Sequence, residues 1–302
     1  MLMSNTILDQ IVSEIKERKY FSLIVDSTSD ITIHDQLTIA VRYITKEGKP
    51  VERFLGFMSS VGHKGTDIEL AILKKFSELN INLKYCRDQS YDNASNMSDI
   101  YNGLQSRIKS HSTTAFFVPC SAHSLNLIGS NAADTTQEGT IFFFNCQAIY
   151  NFFSASTYRW NILCEIINNN SDCVQIKKMC TTRWSSRYDV CKAIFNGYEK
   201  VLSALKTIHD DEGQKKETRH EASSIYNKIK SLNFCFMICM WTPILQRFNA
   251  TSVTLQSIDI DLVTVVTLYK SLETYLEDIR QLAISSRSVK LPVVILLQIA
   301  RV

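Results

Sequence analysis

The chain has 302 residues, of which 45% are hydrophobic and 21% charged, with a formal net charge of +3. This is the composition of an ordinary soluble globular protein, long enough for one large or two modest domains. The charge is too small to indicate nucleic-acid binding by itself, although it does not exclude it. The apolar run from Leu291 to Ile299 is too short to cross a bilayer, so we expect no membrane partner.

The N-terminal residues and the cysteines bear on cellular location. Residues 1–19 place apolar side chains at helical spacing among charged ones, which predicts an amphipathic helix and not a signal peptide. The nine cysteines are scattered and form no C-x-x-C pair. Without a secretion signal, this pattern favours reduced thiols in a cytosolic or nuclear protein.

Three strands are predicted after this helix. Tyr20 to Val25 is β-branched and aromatic and runs into the turn-forming residues Asp26 to Asp30. Gln36 to Ile44 alternates as a strand does, and a turn separates it from a third strand, Val51 to Ser60. Short turns between consecutive strands predict an antiparallel meander, with Asp26 at the carboxyl end of its first strand.

Helices and strands alternate in the next segment. Thr66 is the predicted N-cap of a helix over Asp67 to Leu79, and Glu69 completes a capping-box pattern. The remaining predicted elements are a strand around Leu83 to Cys86, a helix over Met97 to Lys109, a strand over Ala115 to Val118 and a helix over Cys120 to Ser130. The order predicts an α/β fold, a mixed sheet with helices packed on it.

Helical patterns dominate from about Asn131. The predicted helices are Gly139 to Ser154, Trp160 to Asn168, Trp184 to His209, Glu217 to Gln246 and Asp259 to Ala283. A polar interruption over residues 210–217 indicates a loop between helices. We therefore predict an N-terminal helix (1–19), a core with its following helices (20–209), an all-helical domain (210–287) and an atypical tail (288–302).

Two aspartates carry the candidate chemistry. Asp92 lies in the stretch from Ser90 to Gln105, just past a predicted strand, and a parallel crossover after the meander would bring that strand beside the one that ends at Asp26. Paired carboxylates suit hard cations such as Mg²⁺, which serve phosphoryl transfer. The alternative is that each is only a turn or helix-cap aspartate.

Several motifs occur together in a fixed order. They are FSLIVDSTSD (21–30), QLTIAVRY (36–43), FLGF (54–57), YDNASNMS (91–98), CSAHSLNL (120–127) and TRWS (182–185). In this order they resemble the hAT-superfamily transposases over about residues 15 to 280. The nearest groups are the zinc-finger MYM-type, TTF-type zinc-finger and repressor-of-protein-kinase-inhibitor-like proteins.

The resemblance implies an RNase H-like core interrupted by an all-helical insertion domain, in a nuclear protein that acts on DNA. Asp26 and Asp92 match the first two acids of a DDE-type site, which holds Mg²⁺ or Mn²⁺ and cleaves a phosphodiester. Cys120 and His123 match the family's C-x-x-H motif, and Trp184 matches its R-W motif, whose tryptophan is expected to stack near the DNA end.

The matched residues have plainer readings as well. A C-x-x-H pair is half a zinc site, but no second pair stands at a suitable spacing, so we expect Cys120 and His123 to brace the site wall without zinc. Trp184 is either a core aromatic or a stacking residue. The DNA-binding interpretation rests on the basic residues around it, which are Lys177, Lys178, Arg183 and Arg187.

Departures from the family pattern point to a degenerate site. Asp99 and Asp88 stand where the family commonly has glycine, adding negative charge near Asp92. The family's third acid, a glutamate, follows the insertion domain and has no match before residue 302, so we expect a C-terminally truncated chain with an incomplete catalytic set.

Three functions remain open at this stage. The first is a domesticated, transposable element-derived domain with residual nucleic-acid binding and no turnover. The second is an active metal-dependent nuclease or transposase that takes an acid from elsewhere, for example Glu221 or Glu273. The third is a nuclear module that binds protein partners through its helical region.

Overall fold

The computed structural model describes residues 2–29, 35–168, 176–180 and 184–285. The chain divides into two compact units, Met1–Ser124 with Gln256–Ile260 (unit 1) and Leu125–Leu255 with Asp261–Val302 (unit 2). Within the described ranges, no helix is both long and apolar enough to traverse a bilayer. The predicted domain boundary between residues 209 and 210 falls within the helix Tyr198–Asp210 of unit 2, and the predicted division into domains stays a prediction.

Unit 1 is built on a five-stranded mixed sheet. Its strands are β1 (Phe21–Ser29), β2 (Asp35–Ile44), β3 (Pro50–Ser59), β4 (Cys86–Ser90) and β5 (Phe116–Phe117), in the order β3-β2-β1-β4-β5. The first three form the predicted antiparallel meander, and β4 pairs in parallel with both β1 and β5. The predicted α/β class, a mixed sheet with flanking helices, is thereby confirmed.

Alternation along the strands explains the core of unit 1. Phe21, Leu23 and Val25 of β1 are buried, whereas Asp26 at the end of the opposite set is exposed. The buried sides of β1 and β2 join a single cluster with apolar residues from the flanking helices, including Ile15 and Ile72. Burial at about 25 cal/mol per Å² makes this cluster the main stabilising feature of the unit.

The helices of unit 1 correct several predicted boundaries. They are α1 (Leu2–Arg18), α2 (Gly65–Glu78), α3 (Ser95–Ser98), α4 (Leu104–His111) and α5 (Ser121–Asp134), the last extending past residue 124. The predicted N-cap Thr66 is wrong, because α2 begins at Gly65 and the Asp67 carboxylate accepts from the Lys64 backbone N–H at 3.3 Å. Leu83–Tyr85 forms a 3₁₀ turn, and β4 begins only at Cys86.

The helix predicted over Met97 to Lys109 is interrupted. Asp99 leaves the helical conformation, and its Oδ1 accepts from the backbone N–H groups of Tyr101 and Asn102 at 2.8 and 2.7 Å. An aspartate that offers this alternative to helical hydrogen bonds favours a turn. The chain then re-enters a helix, α4, after Gly103.

From Ser121 onward, every regular element in the described part of the chain is a helix. Beyond α5 these are α6 (Gln137–Ser154), α7 (Thr157–Asn168), α8 (Trp184–Asn196), α9 (Tyr198–Asp210), α10 (Lys216–Ile229), α11 (Leu232–Leu255) and α12 (Leu262–Ser285). Two predicted long helices are each divided. Gly197 separates α8 from α9, and Ser231 caps α11 by accepting from Phe234 N at 3.2 Å.

Candidate two-carboxylate site

The two predicted acids belong to neighbouring parts of the sheet, Asp26 to β1 and Asp92 to the segment after β4. In the parallel pairing of β1 with β4, Ser22 lies opposite Asp88 and Ile24 opposite Ser90. Asp26 comes two residues after Ile24 in β1, and Asp92 comes two residues after Ser90, in the segment that follows β4. That the two carboxylates meet stays a prediction, which the parallel pairing of β1 with β4 supports. We call this pair the two-carboxylate site.

Asp26 and Asp92 differ in their surroundings. Asp26 is exposed near the end of β1, where its backbone position pairs with Thr38 of β2. Asp92 is half-buried, and its Oδ1 accepts from the backbone N–H of Ala94 at 3.1 Å. That hydrogen bond fixes one oxygen in the turn after β4 and restricts the orientation of the carboxylate.

The two extra acids beside the site are engaged locally. Asp88 lies on the face of β4 that leads to Asp92, and its Oδ2 accepts from the Ser22 hydroxyl at 3.2 Å. Asp99 caps the turn before α4, where the backbone N–H groups of Asn102 and Tyr101 lower the pKa of its carboxyl below the usual value. The Asp99 carboxylate therefore stabilises the turn that Asp99 itself begins.

Hydrogen bonds connect the Asp92 segment to the start of α5. Cys120 N donates to the Tyr91 carbonyl at 3.1 Å, and the Asn93 amide donates to the Ser124 hydroxyl at 2.9 Å. The Ser124 hydroxyl in turn donates to the Cys120 carbonyl at 3.0 Å. Cys120 and His123 are half-buried one turn apart on this element, a position consistent with bracing the turn that carries Asp92. Their predicted roles stay predictions.

The donor set suits a hard cation held loosely. Mg²⁺ is commonly bound by one or two carboxylates with several retained waters, so Asp26 and Asp92 supply ligands of the right chemistry. Among the residues that the structure describes, no group of three or more His, Cys, Asp or Glu side chains is placed to hold a metal ion. The predicted Mg²⁺ or Mn²⁺ stays a prediction.

The predicted DNA-binding residues belong to unit 2, whereas the two acids belong to unit 1. Lys177 and Lys178 are exposed, and the Lys177 ammonium contacts Asp189 Oδ2 at 3.2 Å. Trp184 is the first residue of α8, but its side chain and the whole of Arg183 lie outside the described residues.

Arg187 has a packing position in unit 2. Its side chain is only 12% exposed, its guanidinium lies 4.5 Å from the centre of the Phe143 ring, and Nη2 is 3.8 Å from Asp134 Oδ1. Burial lowers the pKa of this guanidinium, and Asp134 opposes that effect. These contacts turn the Arg187 side chain towards α6. Its position in the sequence near Trp184 did not predict this packed environment.

Two features at the sheet were missed by the sequence analysis. Asn93, between Asp92 and the α5 contacts, was treated only as part of a motif. A run of basic residues next to tyrosines, Lys19-Tyr20 and Lys84-Tyr85, precedes β1 and β4 at the opposite end of the strands. The repeated Lys-Tyr pair is the sequence signal that could have drawn attention to it.

Comparison with known proteins gives results that match the geometry of unit 1. Residues 1–103 match the model of the family DUF4371, described as the ZMYM1/FAM200 RNase-like domain. The matched range contains β1 to β4 and both acids. The chain is thus similar to this RNase-like family over its first 103 residues.

Two curated relatives extend the similarity further along the chain. The human 52 kDa repressor of the inhibitor of the protein kinase is 22% identical over 218 residues, covering 68% of this chain and 28% of that protein. The mouse protein of the same name is 24% identical over 219 residues, covering 67% and 27%. The alignments thus span less than a third of these relatives.

Proposed function

We propose that this chain is an RNase H-like domain derived from a hAT transposase, now domesticated, which binds nucleic acid without cleaving it. One observation carries the proposal. The strand that contains Asp26 and the strand that precedes Asp92 are parallel neighbours in a β3-β2-β1-β4-β5 sheet. The RNase-like family match over residues 1–103 supports the same descent.

In this proposal the 302 residues by themselves supply two carboxylate ligands, Asp26 and Asp92, and leave a phosphodiester uncleaved. A divalent ion bound by Asp26 and Asp92 would supply charge stabilisation for phosphoryl transfer. Two carboxylates hold such an ion less firmly than three, and the electrostatic contribution to catalysis depends on firm placement. In this proposal the half-buried Asp92, fixed by Ala94 N, supplies the more ordered ligand and the exposed Asp26 the less ordered one.

Metal-dependent cleavage tests the catalytic part. We expect the 302-residue chain to leave labelled duplex and single-stranded DNA intact in Mg²⁺ or Mn²⁺. Cleavage that disappears in both Asp26→Asn and Asp92→Asn, but persists in the exposed control Asp278→Asn, would overturn the inactive assignment. It would favour the alternative of an active nuclease, for which Glu221 on α10 or Glu273 on α12 are the acids to replace next.

Binding to DNA across a salt series tests the nucleic-acid part. Each phosphate contact by a lysine steepens the dependence of log K on log salt by about 0.9 for duplex DNA. We expect Lys177→Gln with Lys178→Gln to reduce the slope by up to about 1.8 relative to a Lys206→Gln with Lys216→Gln control. An equal slope for both double variants would remove unit 2 from the proposed interface.

A regulatory role in the nucleus is a second element of the proposal. The similar human and mouse proteins are named as repressors of a protein kinase inhibitor, which suggests a regulatory setting and, with it, protein partners. The alternative function is therefore a protein-interaction module that uses the helical region. Affinity capture with the isolated chain, repeated after nuclease treatment, separates direct protein partners from those bridged by nucleic acid.

A further inference from the structure

Unit 1 carries a surface cluster of cations and tyrosines at the amino ends of β1 and β4, in which Lys19, Tyr20 and Lys84 are exposed and Tyr85 and Arg87 are half-buried. Lys19 Nζ lies 5.3 Å from the centre of the Tyr20 ring and 5.2 Å from that of Tyr85. Lys84 Nζ is 5.3 Å from the Tyr85 ring, and Arg87 Cζ is 4.1 Å from the Tyr20 ring. These five residues form a row, Arg87-Tyr20-Lys19-Tyr85-Lys84, which we call the cation–tyrosine cluster.

The backbone holds this row in place. Lys19 ends α1 with φ at +70°, a left-handed conformation that a residue with a Cβ rarely adopts, and its N–H donates to Ile15 O at 2.8 Å. Tyr20 and Tyr85 pack edge to face with ring centres 6.3 Å apart. Because β1 and β4 are parallel neighbours, Tyr20 and Arg87 stand together at their amino ends.

Arg87 is positioned from two sides. Its Nη1 donates to the Thr114 hydroxyl, and its guanidinium stacks on the Tyr20 ring. A guanidinium has five N–H donors, more than these two contacts use. The Arg87 hydrogen bond and the Lys19 charge lower the pKa of the exposed Tyr20 hydroxyl.

Charge complementarity selects the partner. Three cations in contact with two rings repel one another, and the rings offset only part of that cost, about 0.5–1 kcal/mol for each exposed cation–π contact. A ligand with repeated negative charges would relieve the repulsion, and the rings already restrict the long basic side chains that it must contact. A nucleic-acid backbone offers such charges at regular spacing.

We propose that the cation–tyrosine cluster is a phosphate-backbone contact surface for nucleic acid, distinct from the two-carboxylate site. The proposal rests on the proposed function in that it assigns a second contact surface to the same class of partner. Tyr20, just before β1, and Asp26 are six positions apart, about 20 Å at strand rise, so the cation–tyrosine cluster and Asp26 are separate surfaces of unit 1.

The test uses the whole 302-residue chain and fluorescein-labelled duplex and single-stranded DNA in a salt series. Lys19→Asn with Lys84→Gln removes two charges, and asparagine tolerates the left-handed conformation at position 19, so unfolding in urea should be unchanged. We expect at least about tenfold weaker binding at 0.1 M salt and a slope reduced by about 1.4 to 1.8. The matched control is Lys74→Gln with Lys109→Gln, which removes two exposed lysines from α2 and α4.

Two further measurements separate the possible outcomes. Tyr85→Leu keeps all three cations but removes the central ring, and it should weaken binding several-fold with little change in slope. A polyglutamate peptide of equal charge should compete poorly, and competition equal to that of DNA would overturn nucleic acid as the partner. If the wild type binds DNA but the cluster variant matches its control, this proposal fails and the proposed function stands. If the wild type binds no DNA, both fail.

Discussion

Gln89 shows how much a single buried polar side chain decides in unit 1. It is fully buried in β4, where its amide donates to the carbonyls of Gln105 at 3.0 Å and Ala115 at 2.9 Å and its oxygen accepts from the Tyr91 hydroxyl. These bonds tie β4 to α4 and to the approach to β5. Burial also raises the pKa of Tyr91 well above its usual value. The hydrogen bonds of Gln89 thus hold in place the end of β4, from which the turn with Asp92 begins.

Replacing Gln89 with leucine should lower the free energy of unfolding by about 2–4 kcal/mol, because two carbonyls and one hydroxyl lose their buried partner. Urea titration followed by circular dichroism measures this change. Tyr91→Phe is the matched second variant, and its own cost should shrink in the Gln89→Leu background, since the shared hydrogen bond is already gone. Additive costs for the two substitutions would contradict the network.

Elements are joined in unit 1 by close backbone approach as well as by side chains. A Cβ added to Gly65, the first residue of α2, would lie 2.9 Å from the Asn102 carbonyl oxygen and 3.0 Å from that of Asn96. These atoms belong to the backbone around α3 and the following turn, so they cannot swing aside as a side chain can. The start of α2 therefore requires glycine for space.

Gly65→Ala should destabilise the protein by about 1–3 kcal/mol through overpacking against the backbone. The control is Gly213→Ala in the exposed loop before α10, where the nearest atom to an added Cβ is the Asp211 carboxylate at 3.1 Å, the end of a side chain. Thermal unfolding of both variants provides the comparison. Equal melting temperatures would show that the α2 start can relax.

The contact between α1 and β2 makes the free energy of unfolding depend on pH. Tyr43 donates its hydroxyl to the Glu14 carboxylate, and burial together with this bond raises the pKa of Tyr43 to about 12. Below pH 10 the phenol is protonated in both the folded and the unfolded chain, so its contribution is fully present. Between pH 10 and about 12 only the unfolded chain ionises, and the contribution is lost.

Wild-type stability should therefore fall more steeply from pH 10 to 12 than that of Tyr43→Phe, by an amount on the order of 1 kcal/mol. Urea midpoints measured at half-unit pH steps would resolve the difference. Tyr101→Phe, at a residue 79% exposed, serves as the control and should follow the wild type. Parallel curves for wild type and Tyr43→Phe would contradict the coupling.

At the scale of the whole molecule, the folding unit extends past the family match. The match ends at residue 103, whereas Leu104, Ile108 and Ala115 are all fully buried members of the unit 1 core. β5 and both carbonyl partners of Gln89 also follow residue 103. The N-terminal segment of this compact unit accordingly reaches Ser124, and Gln256–Ile260 is its second segment.

A fragment of residues 1–124 should unfold cooperatively, whereas a fragment of residues 1–103 should not, because it leaves the core open at the α4 side and the Gln89 amide without its acceptors. Circular dichroism and urea titration of the two fragments distinguish these outcomes. A cooperative transition for residues 1–103 at the same denaturant midpoint would show that α4 and β5 are dispensable.

The sequence by itself determined the elements whose signals are local. Period-2 alternation predicted the meander of β1 to β3. The predicted end of the first strand at Val25 was wrong, because residues 26–29 continue the pairing with β2. The order of strands and helices predicted the α/β class, and the motifs predicted the RNase-like core. The sequence did not predict the helix interruptions at Asp99 and Gly197. A single turn-forming residue can either interrupt a helix or be tolerated within it, and the surrounding structure decides which.

Only the tertiary structure decided which distant residues share a surface. The parallel pairing of β1 with β4 agrees with the predicted crossover, but its register depends on non-local hydrogen bonds, and it brings Tyr20 and Arg87 into a contact that the sequence did not predict. The same holds for Arg187. The sequence analysis grouped it with exposed lysines, whereas in the structure its guanidinium packs on the Phe143 ring. Local patterns thus predicted the elements, and long-range packing decided the surfaces they form.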